Sequence, residues 1–202
     1  YVKLQYVHGQ SVGFETILPG EQIRFIHSKT LENDEFRNTT AVYKKSTTEL
    51  EVALAAEIPS TISVGDSVEN GVYYASVIFR NNTVRNNRAR GCLFTTPLSI
   101  VVENNVFDYV SGSAILIPGD AANWYESGAC QNVVIRNNRI INALTVSAYE
   151  FTHGIISISP TVGDIKSQKT PYHRNIQVSG NVIETFDVPL LYGTSGQDLV
   201  FR

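Results

Sequence analysis

Hydrophobic and polar residues follow a repeating pattern along residues 77–195. Each repeat begins with a short run of β-branched residues, turns at an asparagine, and continues into a second apolar run. The four segments that share this pattern are 77–96, 100–119, 133–143 resumed at 153–160, and 176–195. Their turn asparagines are Asn82, Asn105, Asn138 and Asn181, which are 23, 33 and 43 residues apart. A unit of about 23 residues with progressively longer insertions predicts a solenoid.

The repeats predict strands rather than helices. Their apolar residues alternate or run in short blocks, without the i, i+3, i+4 spacing of an amphipathic helix. Runs of Val and Ile that end at Asn-Asn or Gly favour strands. Asparagine tolerates the left-handed conformation, and its side chain can hydrogen-bond to its counterpart one coil away. We therefore predict an all-β fold, a right-handed parallel β-helix with coils about 4.8 Å apart. An antiparallel sandwich remains as the alternative, but it gives no reason for the repeated asparagines.

The first 70 residues have a different pattern. Residues 21–31, 40–55 and 60–70 predict strands with charged, exposed faces, and they lack the asparagine turns. We expect a small β-barrel or hairpin insertion over residues 21–70. Residues 1–20 are predicted to supply an edge strand of the β-helix and a loop of the functional site. Residues 71–202 are predicted to form the coils of the β-helix.

The composition of the chain argues against two classes of partner, nucleic acids and membranes. The 202 residues are 43% hydrophobic and only 17% charged, which is typical of strand-rich chains, and the net charge is −3. Such a charge offers no attraction to nucleic acid. No apolar run approaches the ~20 residues that span a bilayer, so we expect no membrane partner. The chain lacks methionine altogether, and we interpret it as a piece of a longer protein.

Two cysteines, Cys92 and Cys130, are the only ones in the sequence. Two thiols cannot complete a four-ligand zinc site, and no histidine has the matching spacing. A disulfide and a pair of buried thiols both remain open, although the apolar run around Cys92 favours a buried thiol. We expect neither a metal nor a cofactor.

The insertions are where chemistry is expected. They fall at residues 118–132, 143–153 and 160–175, and loops of adjacent coils gather on one face of a solenoid. The first insertion carries two carboxylates, Asp120 and Glu126, around the aromatic pair Trp124 and Tyr125. Coils place side chains at multiples of about 4.8 Å. Glycosidases need two carboxyl groups about 5 Å apart for retention or about 6.5–9.5 Å apart for inversion, so stacked coils can supply either spacing.

Each of these residues also has a structural interpretation. Asp120 follows Gly119 and can cap a turn, and Glu126 can pair with an arginine. Asp108 falls at a turn between strands, where an acid is more often structural. Histidines in the loops, His153 among them, are more often loop or core residues than bases. No Ser/His/Asp, Walker or dinucleotide motif accompanies them.

Several stretches resemble glycoside hydrolase family 110. They are "HGQSVGFETILPGEQIRFI", "RNNRARGCLFTTP", "ENNVFDYVSGSAILIPGDAANWYESGAC", "NVVIRNNRIINAL" and "ETFDVPLLYG". This family comprises bacterial α-1,3-galactosidases that act on blood-group-B-like and linear Galα1-3Gal structures. The resemblance implies a parallel β-helix with small β-barrel inserts. It also implies inverting, metal-free hydrolysis of a terminal α-galactosyl residue on a galactose-terminated oligosaccharide, and hence a periplasmic or extracellular location.

The resemblance extends to individual residues. The positions that match the family's acidic motifs are Glu15, Asp120 and Glu126, which we predict as site carboxylates. Trp124 and Tyr125 are the predicted sugar platform. The weaker substrate-binding candidates are Arg88, Arg90, Asp108 and His153.

One departure affects the expected activity. Family members also resemble one another upstream of the part that matches Tyr1, in coils with an Asp-Asp stretch that this chain lacks. We therefore expect part of the catalytic machinery to lie outside the chain. The solenoid ends then need cover from the remainder of the parent or from a partner chain. Two other functions remain as alternatives, a different polysaccharide-degrading β-helix enzyme and a non-catalytic glycan-binding module of the adhesin or tailspike kind.

Overall fold

The computed structural model describes residues 1–7, 9–13, 17–146 and 153–202. Over these ranges the strands form one antiparallel sheet and three parallel sheets. No helix in the described ranges is long and apolar enough to cross a membrane. The all-β class predicted from the alternating pattern is confirmed.

The described part of the first 70 residues contains the strands β1 (Val2–Gln5), β2 (Gln22–Ile26), β3 (Arg37–Lys44), β4 (Glu49–Leu54) and β5 (Ser67–Asn70). They form an antiparallel sheet with the strand order β1-β4-β3-β2-β5. Their buried side chains meet in a small core of their own around Ile17, Ile23, Leu50 and Val52. This unit is the predicted barrel insertion, and we call it the barrel.

The start of the chain differs from the prediction. Strand β1, expected at the edge of the β-helix, pairs with β4 of the barrel, where Val2 lies opposite Val52 and Leu4 opposite Leu50. Val2 and Leu4 both pack on the barrel core. The alternation in residues 1–8 indicates a strand with one buried face, but that pattern does not specify which sheet the strand joins.

Residues 77–146 and 153–201 wind through three parallel sheets as a β-helix. The first sheet contains β6 (Val77–Arg80), β9 (Ile100–Glu103), β12 (Gln131–Arg136), β15 (His173–Ser179) and β18 (Gly196–Phe201). The second contains β7 (Thr83–Arg85), β10 (Val106–Asp108), β13 (Arg139–Ile141) and β16 (Val182–Glu184). The third contains β8 (Cys92–Leu93), β11 (Ile115–Ile117), β14 (Ile156–Ile158) and β17 (Leu191–Gly193). The parallel pairing confirms the β-helix and excludes the antiparallel sandwich.

Identical or similar side chains stack along the axis of the β-helix. In the first sheet Val102 lies opposite Ile135, which in turn lies opposite Val178. In the third sheet Ile115 and Ile117 lie opposite Ile156 and Ile158. All of these side chains are fully buried in one core. Burial of one such side chain contributes about 1.5–3 kcal/mol, so the stacked rows hold the coils together.

The turn asparagines form a ladder between the first and second sheets. Nδ2 of Asn82 donates to Oδ1 of Asn105 at 3.1 Å, and Nδ2 of Asn105 donates to Oδ1 of Asn138 at 2.9 Å. Nδ2 of Asn138 continues the ladder to Oδ1 of Asn181 at 2.9 Å. The inter-coil role predicted for these asparagines is confirmed.

The left-handed backbone, by contrast, lies one position earlier in each coil. At these four turns the residues with positive φ are Asn81 (58°), Asn104 (55°), Asn137 (54°) and Gly180 (62°). The second asparagine of each "NN" pair therefore bonds along the ladder, while the first takes the strained turn conformation. Gly180 replaces asparagine in the fourth coil because glycine adopts that conformation without a steric penalty.

The barrel packs against the loops of the β-helix. A second apolar cluster joins Ile26 and Leu31 of the barrel to Ala121, Ala129 and Tyr172 of the loops. The Ser67 hydroxyl donates to the Ala121 carbonyl at 2.8 Å. These contacts place the barrel beside the first insertion, which carries the predicted site.

Candidate functional site

The candidate site lies on the segment 118–130, which we call the site loop. It leaves the third sheet after β11 and enters the first sheet at β12. The backbone N–H of Asp120 donates to the Glu126 carbonyl at 2.9 Å and closes the loop on itself. Gly128 has φ of 104°, and a Cβ there would lie 2.9 Å from the Thr96 Cα. Only glycine fits at this position, because both the positive φ and the nearby Thr96 backbone exclude a side chain.

The Asp120 carboxylate holds the site loop together. Its Oδ1 accepts from the backbone N–H groups of Ala122 at 2.8 Å and Asn123 at 3.1 Å. Its Oδ2 accepts from the Trp124 N–H at 2.6 Å. The side chain is 5% exposed. The turn-capping interpretation of Asp120 therefore describes what this carboxylate does in the structure, since both its oxygens are occupied by amides of its own loop.

Glu126 has a different environment. It is half-buried and makes no hydrogen bond through its carboxylate to any residue that the structure describes. Burial raises the pKa of the Glu126 carboxyl, the Arg90 guanidinium opposes that rise, and the negative charge of Asp120 adds to it. Glu126, Asp120 and Arg90 therefore form one electrostatic group. A carboxyl with a raised pKa keeps its proton to a higher pH and is suited to general acid catalysis.

Two aromatic side chains flank this group. Trp124 is 70% exposed, so its indole face is open to solvent. Tyr125 is half-buried with φ of 56°, and its pKa is raised by burial and by the charge of Asp120. An exposed indole beside acids can stack on the apolar face of a pyranose ring.

The remaining predicted residues are not all joined to this group. Glu15 lies outside the described residues. Arg88 is exposed, two residues before Arg90 in the same turn. Asp108 lies on β10 of the second sheet, with Arg85 and Ile141 as its neighbours in register, whereas the site loop leaves the third sheet. His153 is exposed, and its ring centroid lies 4.6 Å from that of Tyr192.

A buried histidine beneath the site loop was not among the predicted site residues. His173 is 0% exposed, and its Nδ1 accepts from the backbone N–H of Cys130 at 2.9 Å. Burial lowers the pKa of His173 to about 3, and the Pro118 carbonyl opposes that shift. The sequence pattern offers no signal for this role, because "PYHRN" follows a long insertion and shows neither the spacing nor the neighbours of a known motif.

Cys92 and Cys130 are free thiols. Burial raises the pKa of each thiol to about 12, so neither is a thiolate near neutral pH. The described residues include no group of three or more His, Cys, Asp or Glu side chains that could hold a metal ion.

The sequence is similar to one known domain family and to several known proteins. Residues 1–68 match the family model of the GLAA-B beta-barrel domain II. The chain is 53% identical over 200 residues to alpha-1,3-galactosidase B of Akkermansia muciniphila, covering 99% of this chain and 25% of that protein. It is 43% identical over 206 residues to alpha-1,3-galactosidase B of Parabacteroides distasonis, covering 98% of this chain and 34% of that protein.

A more distant relative gives the same result. Alpha-1,3-galactosidase B of Bacteroides thetaiotaomicron is 38% identical over 200 residues, which cover 99% of this chain and 32% of that protein. The chain thus spans between a quarter and a third of these curated relatives. The predicted resemblance to the α-1,3-galactosidases of glycoside hydrolase family 110 is confirmed over nearly the whole of this chain.

Proposed function

We propose that the chain is part of an exo-acting glycoside hydrolase that releases terminal α-1,3-linked galactose. The observation that carries the proposal is the 53% identity, across 99% of the chain, to a protein named alpha-1,3-galactosidase B. The half-buried Glu126 and the exposed Trp124 supply an acid and a sugar-stacking surface in one loop. The substrate is a galactose-terminated glycan of the kind found outside cells, so we also propose a periplasmic or extracellular location.

The proposed mechanism is inverting and uses two carboxyl groups. Glu126 donates its proton to the glycosidic oxygen, and its raised pKa supports this role. A second carboxylate activates water on the opposite face of the sugar, and Glu15 is the candidate in this chain, alongside acids elsewhere in the parent. Asp120 acts indirectly, because its carboxylate holds the loop amides and its negative charge adds to the rise in the Glu126 pKa that burial causes.

One observation favours a second candidate function, non-catalytic glycan binding. Both oxygens of Asp120 are occupied by loop amides, so the site loop itself contributes one accessible carboxylate rather than two. In that case Trp124 and Tyr125 bind the sugar and no bond is cleaved. The two functions differ in a single measurable product, free galactose.

The test uses Galα1-3Gal and Galα1-4Gal with both the 202-residue chain and a full-length parent. We expect the parent to release galactose from the α-1,3-linked disaccharide and to form the β-anomer first, as ¹H NMR can record. Release of the α-anomer first would contradict inversion. Binding of the disaccharide to the parent without any release would contradict the hydrolase and support the binding module.

The pH profile of the parent tests the role of Arg90. Its positive charge lowers the Glu126 pKa, so Arg90→Gln is expected to raise that pKa and to move the alkaline limb of kcat/KM to higher pH. Arg88→Gln is the matched control, since Arg88 is exposed in the same turn and does not shift the Glu126 pKa. Equal displacement of the limb in both variants, or none in Arg90→Gln, would count against Glu126 as the acid.

A further inference from the structure

We propose that His173 is a positioning residue that clamps the site loop at both of its ends. Its Nδ1 accepts the backbone N–H of Cys130, the last residue of the loop, at 2.9 Å. The start of the loop lies against the neighbouring Tyr172, because a Cβ on Gly119 would clash with the Tyr172 ring, and the adjacent Pro118 carbonyl raises the pKa of the His173 imidazole. His173 and its neighbour Tyr172 therefore contact the two ends of the segment that carries Asp120, Trp124 and Glu126.

The clamp requires a neutral imidazole. Because Nδ1 accepts from a backbone N–H, the ring proton lies on Nε2, which faces away from Cys130. Nε2 is buried and has no hydrogen-bond partner among the described residues, and the Pro118 carbonyl acts on the ring by raising its pKa. The low pKa of the buried ring keeps it neutral at physiological pH. A protonated ring would lose the Cys130 contact, because imidazolium has no acceptor.

The clamp is itself held from the next coil. The backbone N–H of His173 donates to the Ser195 carbonyl at 3.0 Å, and that of Tyr172 donates to the Ser195 hydroxyl oxygen at 2.8 Å. The backbone N–H of Arg174 donates to the Cys130 carbonyl at 3.0 Å. Strand β15 thus grips both the N–H and the carbonyl of Cys130, the first through a side chain and the second through its backbone.

Tyr172 extends the clamp to the barrel. Its ring meets the His173 ring edge-on, with centroids 4.8 Å apart, and it packs in the same cluster as Ile26 and Leu31 of the barrel. A Cβ on Gly119 would lie 2.3 Å from the Tyr172 ring, so the loop passes directly over that ring. The position of the loop is therefore set by β15 and by the barrel together, and not by the loop residues alone.

Amide hydrogen exchange tests the clamp directly. His173→Leu removes the acceptor of the Cys130 N–H, and we expect the amides of Ala122, Asn123 and Trp124, which Asp120 holds, to exchange about 10-fold faster or more. His173→Asn keeps an acceptor near the Nδ1 position and is expected to give an intermediate rate. Peptides from 131–141, in β12 and β13, are expected to keep their protection in both variants.

A matched control separates positioning from general loss of stability. Val178→Ala removes volume from the same strand, where Val178 is fully buried in the core and lies in register with Ile135 of β12. It is expected to lower global stability while leaving loop exchange unchanged relative to the rest of the chain. Unchanged loop exchange in His173→Leu, or equal acceleration in Val178→Ala, would overturn the clamp. Should His173→Leu fail to fold, unchanged loop exchange in His173→Asn would overturn it as well.

A second readout rests on the proposed function. In the parent enzyme, His173→Asn is expected to lower kcat by about 100-fold with a smaller change in KM, because misplaced groups lose transition-state contacts first. Val178→Ala is expected to keep kcat at a temperature where both proteins are folded. Faster loop exchange without any galactosidase activity in the parent would refute the proposed function and leave the clamp standing.

Discussion

Glu126→Gln is expected to lower kcat of the parent protein by about 10²–10⁴-fold, because Glu126 is the proposed general acid and a general acid usually contributes that much. The amide keeps the size of the side chain but has no proton of suitable acidity to give to the leaving oxygen. Because the Glu126 carboxylate makes no hydrogen bond to the described residues, the thermal midpoint is expected to stay within a few degrees of the wild type. Steady-state kinetics on Galα1-3Gal and a thermal melt measure the two effects.

Asp120→Asn provides the contrast that separates chemistry from architecture. The asparagine NH₂ group would face backbone N–H donors that now find a carboxylate oxygen, so contacts of 2.6–3.2 Å are lost or become repulsive. We expect both activity and loop protection to fall in this variant. Glu103→Gln is the control, because it weakens the pair of the half-buried Glu103 with the exposed Arg136 on the first sheet, and it is expected to keep kcat. For the first variant, Glu126→Gln, a kcat equal to that of the wild type would show that Glu126 is not the general acid.

Asn138→Ala is expected to lower the free energy of unfolding by about 3 kcal/mol. Asn138 is 1% exposed and occupies the middle of the asparagine ladder. Its Oδ1 accepts from the backbone N–H and Nδ2 of Asn105, and its Nδ2 donates to the Val102 carbonyl and to Asn181. Alanine leaves these buried groups without partners, and each unmade buried hydrogen bond costs about 1–3 kcal/mol.

Asn82→Ala is the matched control at the end of the ladder. Asn82 is exposed, and its Nδ2 donates to Asn105 and to the Arg80 carbonyl, groups that water can satisfy. We expect a loss below about 1 kcal/mol. Urea unfolding followed by circular dichroism measures both variants at constant m-value. Equal losses at the two positions would show that the ladder does not stabilise the coils through its buried interior.

Much of the fold could be predicted because it follows a local rule repeated along the chain. Asn105 and Asn138 recur after β-branched runs, and a parallel β-helix is the arrangement in which such turns stack in register. The left-handed residue could be placed only approximately, since either asparagine of an "NN" pair tolerates that conformation and the ladder bonds decide between them. The prediction placed strand β1 in the wrong sheet for a similar reason. The alternation of polar and apolar residues in β1 identifies its buried face but not the strand with which it pairs.

The candidate site was predictable in composition but not in geometry. The aromatic residues and acids of the site loop stand close together in the chain, so Asp120, Trp124 and Glu126 could be selected as a group. The sequence does not show which carboxylate accepts hydrogen bonds from the loop amides, because that depends on the backbone conformation of the loop. In the structure it is Asp120, which accepts from Ala122 and Trp124. His173 lies 43 residues from Cys130, and only the stacking of coils brings them together.

The amino-acid sequence alone determined the all-β class, the coil repeat, the turn asparagines and the loop that carries the acids, because each is encoded by residues near one another in the chain. The tertiary structure decided the partner of β1, which of Asp120 and Glu126 accepts from the loop amides, and the placement of His173 beneath the site loop. The physical reason is that burial, charge coupling and hydrogen-bond partners depend on groups from different coils and from the barrel. Those groups become neighbours only when the coils stack.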